Sequence, residues 1–205
     1  MFEHAGKEIQ TMIASMHSNM LFAFYIVGIL WLIHIMNYFM QYKLNMLGIR
    51  PRKSKGLIGI IFAPFLHADF NHLFFNSIPL LALSDLILAQ GRLAFYYISA
   101  SIIMSSGILT WIFGRRGIQI GASGVIMGYF GYLLFNSYIH FSASSIALAG
   151  FCLYYFGGLF FALFPSIQKN ISWEGHLCGF VSGIGTAYYL PIVLRKAAYL
   201  LHAFM

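Results

Sequence analysis

Residues 120–135 read IGASGVIMGYFGYLLF, and what this stretch forms decides the fold. A Gly121-Ala122-Ser123-Gly124 group opens an apolar run that continues for about fifteen residues. That is close to the length a helix needs to cross a bilayer, and a lone serine stands where the helix begins. The surrounding composition agrees. Of 205 residues 60% are hydrophobic and 8% charged, with a mean hydropathy of +0.79. Soluble domains carry about 25% charged residues, so this chain has too few to cover a surface facing water. It reads as an integral membrane protein. Transmembrane β-barrels alternate apolar and polar residues, whereas the runs here are unbroken, so the spans are helices.

A span takes about 20 mostly apolar residues. Six segments qualify: 21–40, 72–90, 93–113, 123–138, 145–164 and 175–194. The expectation is an all-α polytopic membrane protein, a bundle of six transmembrane helices forming one domain over residues 1–205. The first connection, about 41–71, carries GIRPRKSKG and then LIGIIFAPFLHADF. Gly and Pro interrupt the second piece too often for a span, which predicts a partly inserted interfacial loop. No internal repeat supports the inverted-repeat plan of transporters. The first nineteen residues lack a basic start and run into a span too long for a signal peptide.

The net charge of +7 does not point to nucleic acid. The basic residues sit in short loops, where lipid headgroups are the natural partners. Six spans put both termini on one side, with Lys7, Arg92, Arg195 and Lys196. The other side has Lys43, Arg50, Arg52, Lys53, Lys55, Arg115, Arg116 and Lys169. By charge alone the termini would lie outside the cell. Cys152 and Cys178 both fall inside spans and read as small core residues.

Ionisable and strongly polar groups within spans are costly and default to functional hypotheses. Here they are His34, Asn37, His72, Asn76, Asp85, Ser123 and His176, with His67 just ahead of the second span. His72 and Asn76 are four apart and share a helix face. Asp85 lies nearly opposite Asn76, which predicts a separate environment beside Arg92. His176, Gly179 and Gly183 share another face. Small residues four apart let membrane helices approach closely, so Gly179 and Gly183 can meet Gly124 and Gly128 of the fourth span. His176 then reaches Ser123.

That proximity is what nucleophilic catalysis requires, since a serine hydroxyl attacks only when a nearby base takes its proton. The positive end of its helix dipole disfavours an imidazolium at His176, predicting a neutral ring able to accept that proton. A developing oxyanion needs preorganised donors. The Ser123 backbone N–H, the Asn76 amide and a His72 N–H are available, and Gly121 and Gly124 leave room for a substrate backbone. Taken singly, these residues have plainer readings: a serine N-cap, interhelical hydrogen bonders, packing glycines. Glu174 is two residues from His176 and reads as a first-turn charge after a Ser172 cap. His34 and Asn37 read as bundle-interior hydrogen bonders. What favours the catalytic reading is coincidence: the groups lie near the same end of spans two, four and six.

With those residues assembled, the sequence resembles the rhomboid intramembrane serine proteases. FLHADFNHLFFN brings His67, His72 and Asn76, GASG brings Gly121, Ser123 and Gly124, and GHLCGFVSG brings His176, Gly179 and Gly183. All occur in the family's order. The resemblance implies a rhomboid-like bundle in which Ser123 is nucleophile and His176 the base of a dyad with no carboxylate. His72, Asn76 and the Ser123 N–H would form the oxyanion hole, and His67 a structural hydrogen bonder. The implied activity is an intramembrane serine endopeptidase cutting single-span membrane proteins in or near their transmembrane segments. No cofactor, metal or nucleic acid is implied; a His-Glu-x-x-His pattern is absent. The partners are the lipid bilayer and transmembrane substrates.

The sequence departs from the family at two places. The Trp-Arg pair that many members carry in the first loop is missing from LIGIIFAP, so that loop must be held differently. Below the serine, where some relatives place a tyrosine that supports the histidine, stands Met127. The family's cytoplasmic termini also oppose the charge count, and the expectation follows the family. A minimal six-span core predicts a bacterial inner membrane. Two rivals remain: a non-catalytic relative that binds or escorts transmembrane helices, and a small transporter using His34, Asn37 and Asp85.

Overall fold

The computed structural model describes residues 2–164 and 172–203, with side chains described for 6–142, 144–164 and 172–194. Lys169, one of the basic residues counted on the loop side, lies outside them. Seven α-helices are described: α1 (Phe2–Phe39), α2 (Gly59–Phe62), α3 (Phe70–Leu88), α4 (Arg92–Phe113), α5 (Ser123–Ile139), α6 (Ala143–Phe156) and α7 (Trp173–Ala203). Among the described residues β-structure is limited to one antiparallel bridge, Ile49 with Gln119.

Five helical segments are long and apolar enough to cross a membrane: Gly6–Phe39, Phe70–Leu88, Arg92–Phe113, Ser144–Leu163 and Trp173–Leu194. The remaining expected span is α5, at 17 residues the shortest of the six. At 1.5 Å per residue it is roughly 25 Å long, short of a full hydrocarbon core, so the count of six spans rests on a helix of marginal length. Its environment explains its composition. Val125 through Leu133 are buried without a break, because α3, α4, α6 and α7 all pack around it. The outer helices instead expose Phe24, Tyr25, Phe39, Phe75, Leu93 and Tyr154, an apolar surface suited to lipid and too large for a soluble monomer.

The first helix begins well before the expected residue 21. Its N-terminal extension packs on α6, where the Glu8 carboxylate accepts from the Ser144 hydroxyl at 3.1 Å. A carboxylate at a helix N-terminus is favourable. The α6 helix starts from a Ser142–Ser145 capping box and changes at Gly157-Gly158 into a 3₁₀ turn over Gly157–Leu163. Paired glycines are poor helix formers.

The α5–α7 contact rests on glycine. A Cβ on Gly179 would collide with the Gly124 carbonyl oxygen, and one on Gly183 with that of Gly128. Backbone therefore lies directly on backbone along this seam.

The connection 40–69 is a chain of short turns. Ile60, Ala63 and Leu66 face inward, while Leu57, Ile58, Ile61 and Phe62 face out, the two-sided pattern of a segment lying along the interface. Trp111 and Arg52 hold it to the end of α4. Trp111 Nε1 donates to the Lys53 carbonyl at 2.9 Å, and Arg52 Nη1 donates to the carbonyls of Ile112 (2.8 Å) and Gly114 (2.9 Å). An aromatic side chain and an arginine thus secure the loop after all, the aromatic coming from a different helix.

Candidate active site

The first loop builds the platform from which α5 starts. Ile49 and Gln119 exchange backbone hydrogen bonds of 2.9 and 2.8 Å, and the Gly121 N–H donates to the Ala63 carbonyl at 2.9 Å. The next N–H, from Ala122, donates to His67 Nε2 at 3.4 Å. Gly121 has φ +119, a conformation that favours glycine. It also needs the space: a Cβ there would stand 2.8 Å from His72 Nε2 and 3.6 Å from Asn76 Nδ2. These bonds fix residues 119–122, and Ser123 follows as the first residue of α5 with its N–H free of any intrahelical partner.

His67 is completely buried. Burial, with the neighbouring His72 adding to it, pushes its pKa down to about 3. A neutral His67 keeps the Nε2 lone pair that accepts the Ala122 N–H. The support runs further back: Asn45 Nδ2 donates to the His67 carbonyl at 3.4 Å, and Asn37 Nδ2 donates to Asn45 Oδ1 at 2.8 Å. Asn37 is a hydrogen bonder as expected, but toward the loop. His34, expected to do the same, packs against the Tyr42 ring at 5.7 Å and leaves Nδ1 without a hydrogen bond.

Asp69 caps α3, its Oδ1 accepting from the His72 N–H at 2.8 Å. That start puts His72 in the first turn and Asn76 one turn deeper. His72 Nδ1 accepts from the Ala68 N–H at 3.5 Å, so the ring proton belongs on Nε2, the atom beside Gly121. Asn76 Nδ2 is buried and has no hydrogen-bond partner. An uncommitted buried donor is rare and calls for an explanation.

His176 sits in the first turn of α7. Ser172 Oγ caps this helix, accepting from the Gly175 N–H at 3.3 Å, and Glu174 turns away to Arg115, 3.6 Å distant. His176 Nδ1 donates to the Ala162 carbonyl at 3.1 Å. No hydrogen bond joins it to Ser123 among the described residues. The two instead border one cavity of about 600 Å³ together with His72, Asn76, Met127 and Leu159. Met127, one turn below the serine, forms its buried floor. A second cavity of about 60 Å³ lies behind Ser123, with Ser106, Thr110, Gln119 and Ser172 on its wall. Its lining is mixed, these polar groups standing among Ile49, Ile60, Ile103 and Val125, and it is large enough for a few waters.

The remaining candidates lie elsewhere. Asp85 does not pair with Arg92. Its Oδ1 is buried without a hydrogen bond, and the Arg92 guanidinium lies over the Phe22 ring at 5.5 Å. Cys152 and Cys178 are buried free thiols. Asn45 and the Ala162 carbonyl were not legible as parts of the site. One is a loop asparagine among several, the other a backbone atom no motif can mark.

Comparison with known proteins adds a family likeness. The rhomboid domain family matches residues 54–192, a span that contains every candidate side chain from His67 to Gly183. An uncharacterized protein of Mycobacterium tuberculosis is 36% identical over 179 residues, covering 83% of this chain and 75% of its own. A Mycobacterium leprae protein is 35% identical, covering 83% of this chain and 70% of its own. A putative rhomboid protein of Acanthamoeba polyphaga mimivirus is 28% identical over 142 residues, 66% of this chain and 77% of its own.

Proposed function

This chain belongs to the rhomboid family, a multi-pass membrane protein, and from that premise we propose that it is an intramembrane serine endopeptidase. The observation that carries the proposal is the cavity bordered at once by Ser123, His176, His72 and Asn76.

In this mechanism Ser123 Oγ attacks the scissile carbonyl carbon while His176 Nε2 takes its proton. The Nδ1–H, held by the Ala162 carbonyl, leaves Nε2 as the basic nitrogen, the role a carboxylate plays in a triad. The tetrahedral oxyanion is received by the Ser123 N–H, Asn76 Nδ2 and His72 Nε2–H, donors that act most strongly where water is excluded. His176 then protonates the leaving amine. Water enters by the same base, splits the acyl-serine ester and restores both residues. The small cavity behind Ser123, with the Ser106, Thr110 and Ser172 hydroxyls on its wall, offers that water a place out of the lipid.

The substrates are single-span membrane proteins of the bacterial inner membrane. A peptide bond in a helix is shielded by its own hydrogen bonds, so the substrate must unwind locally, and small residues beside the cut fit the close approach at Gly121 and Gly124.

The missing Ser123–His176 hydrogen bond favours a second reading, a non-catalytic member that binds transmembrane helices. Catalytic hydrogen bonds often tighten only once substrate is bound, which is why the first reading is preferred. The two separate on one experiment. Purified protein is incubated with a model single-span substrate, beside Ser123→Ala and His176→Ala. Cleavage by the wild type alone, with fluorophosphonate labelling lost in Ser123→Ala, is the expected result. Substrate capture without cleavage by any of the three would establish the second reading.

A further inference from the structure

A second concave site lies at the end of α4, away from the serine. It is a cleft of about 620 Å³ whose wall includes Arg50, Arg52, Lys53 and Arg116, beside Gly117 and Ile118. Four cations share it with no carboxylate. The whole chain has five acidic residues. On this side Glu174 is engaged by Arg115 and Asp69 by the start of α3. Like charges gathered in one concavity repel each other unless an anion joins them.

The arginines have structural duties that leave donors over. Arg52 Nη1 is spent on the Ile112 and Gly114 carbonyls at the C-terminal end of α4. A guanidinium has five N–H donors in a fixed fork, so this anchorage holds the remaining ones in place. Arg50 Nη2 donates to the Met46 carbonyl at 3.3 Å, but its Nε is buried with no hydrogen-bond partner. Lys53 and Arg116 are exposed and their side chains make no hydrogen bond among the described residues. Loop cations that merely hold water would not need a buried, uncommitted guanidinium nitrogen among them.

The surroundings say what kind of anion fits. The cleft opens where α4 ends, beside the outward-facing Ile112, Phe113 and Ile118. Ile108, one turn earlier, is exposed as well. A phosphate in the cleft therefore has an apolar helix face directly beneath it. That is the arrangement of an anionic head attached to hydrocarbon chains, and arginine forks match phosphate oxygens. We propose that this cleft binds the phosphate of an anionic phospholipid, with the acyl chains lying along α4. The site is independent of the proteolytic reading. It also explains why the loop side carries so much positive charge whichever way the chain is inserted, because these residues act as lipid ligands.

The test is lipid retention by the full chain in neutral detergent, read by native mass spectrometry with phosphatidylglycerol and phosphatidylcholine in equal amounts. Wild type should keep one phosphatidylglycerol in preference to phosphatidylcholine. Juxtamembrane cations each contribute roughly fivefold, so Lys53→Gln with Arg116→Gln should weaken retention by more than tenfold. Neither side chain has a structural partner, so the unfolding temperature in lipid-free detergent should not change. Lys55→Gln, nearby but outside the cleft, should retain lipid normally. Equal retention of the two lipids, or a loss in Lys55→Gln as large as in the double variant, would overturn the proposal. Inorganic phosphate at millimolar concentration that displaced the lipid and stabilised the protein equally would also overturn it, in favour of a small-anion site.

Discussion

His176 Nδ1 stands 3.1 Å from the carbonyl oxygen of Ala162, so the proposed base is oriented by the backbone of the segment that follows α6. No aromatic ring packs against His176 among the described residues, and Met127 occupies the floor where a ring could have stood. A methionine cannot fix the plane of an imidazole; a carbonyl in that plane can. The 3₁₀ turn over Gly157–Leu163 thus becomes part of the proposed catalytic geometry.

The carbonyl accepts only from a protonated nitrogen, so the resting tautomer carries its proton on Nδ1. Nitrogen NMR of the histidine-labelled protein, assigned by loss of the signal in His176→Ala, should show Nδ1 protonated and Nε2 bare at neutral pH. The opposite tautomer would leave Nε2 unable to accept the serine proton and would sink the mechanism.

Asn76 Nδ2 is a buried donor with nothing to donate to, and the proposal gives it the oxyanion. Removing one such donor costs about 10²–10³ in kcat. Asn76→Ala and His72→Ala should each lower kcat to that extent with KM little changed, because the donors act on the transition state. A variant whose whole defect lay in KM would show that the residue holds substrate and does not stabilise the oxyanion.

His67 gives a prediction about pH and stability. Its pKa is about 3 in the folded protein against 6.5 as the ordinary value. Between those values the unfolded chain binds a proton that the folded one refuses, so stability is full above pH 6.5 and falls as the pH drops toward 3. The loss is on the order of 5 kcal/mol at the acid limit. Unfolding in detergent from pH 7 to pH 4 should show this slope, and His67→Gln, which keeps an acceptor for the Ala122 N–H without titrating, should flatten it. An unchanged slope in the variant would assign the acid sensitivity to other groups.

The legible and illegible parts of the molecule differ in kind. The helices α3 to α7 could be read because lipid demands long apolar runs, and the approach of α5 to α7 because only glycine allows it. Ser123, His176, His72 and Asn76 stood out as polar groups that lipid tolerates poorly. The N-terminal half of α1 was missed because its polar residues do not satisfy an apolar window, although its Glu8 seats on α6. Asp85 was misjudged because a carboxylate and an arginine close in sequence suggested a pair. Helix ends set their directions, and Arg92 instead covers Phe22. The relay from Asn37 through Asn45 to His67 depends on how a loop folds back, which no periodicity encodes.

The glycine seam yields a contrast within one helix. A Cβ at Gly183 would overlap the Gly128 carbonyl and stand 2.7 Å from the Tyr132 nitrogen, whereas one at Gly185 meets nothing within 4 Å. Both lie in α7, so the gain in helix propensity from alanine, about 1 kcal/mol, is common to them. At Gly185 that gain should appear as unchanged or higher stability. At Gly183 the helices must separate, and overpacking costs typically 1–3 kcal/mol, occasionally more. Separation would also move His176, carried at the top of α7, away from Ser123. Gly183→Ala should therefore lower both the unfolding temperature and the cleavage rate while Gly185→Ala lowers neither. If the two variants behaved alike, the direct backbone contact between α5 and α7 would be wrong, and the meeting of serine and histidine would lose its structural cause.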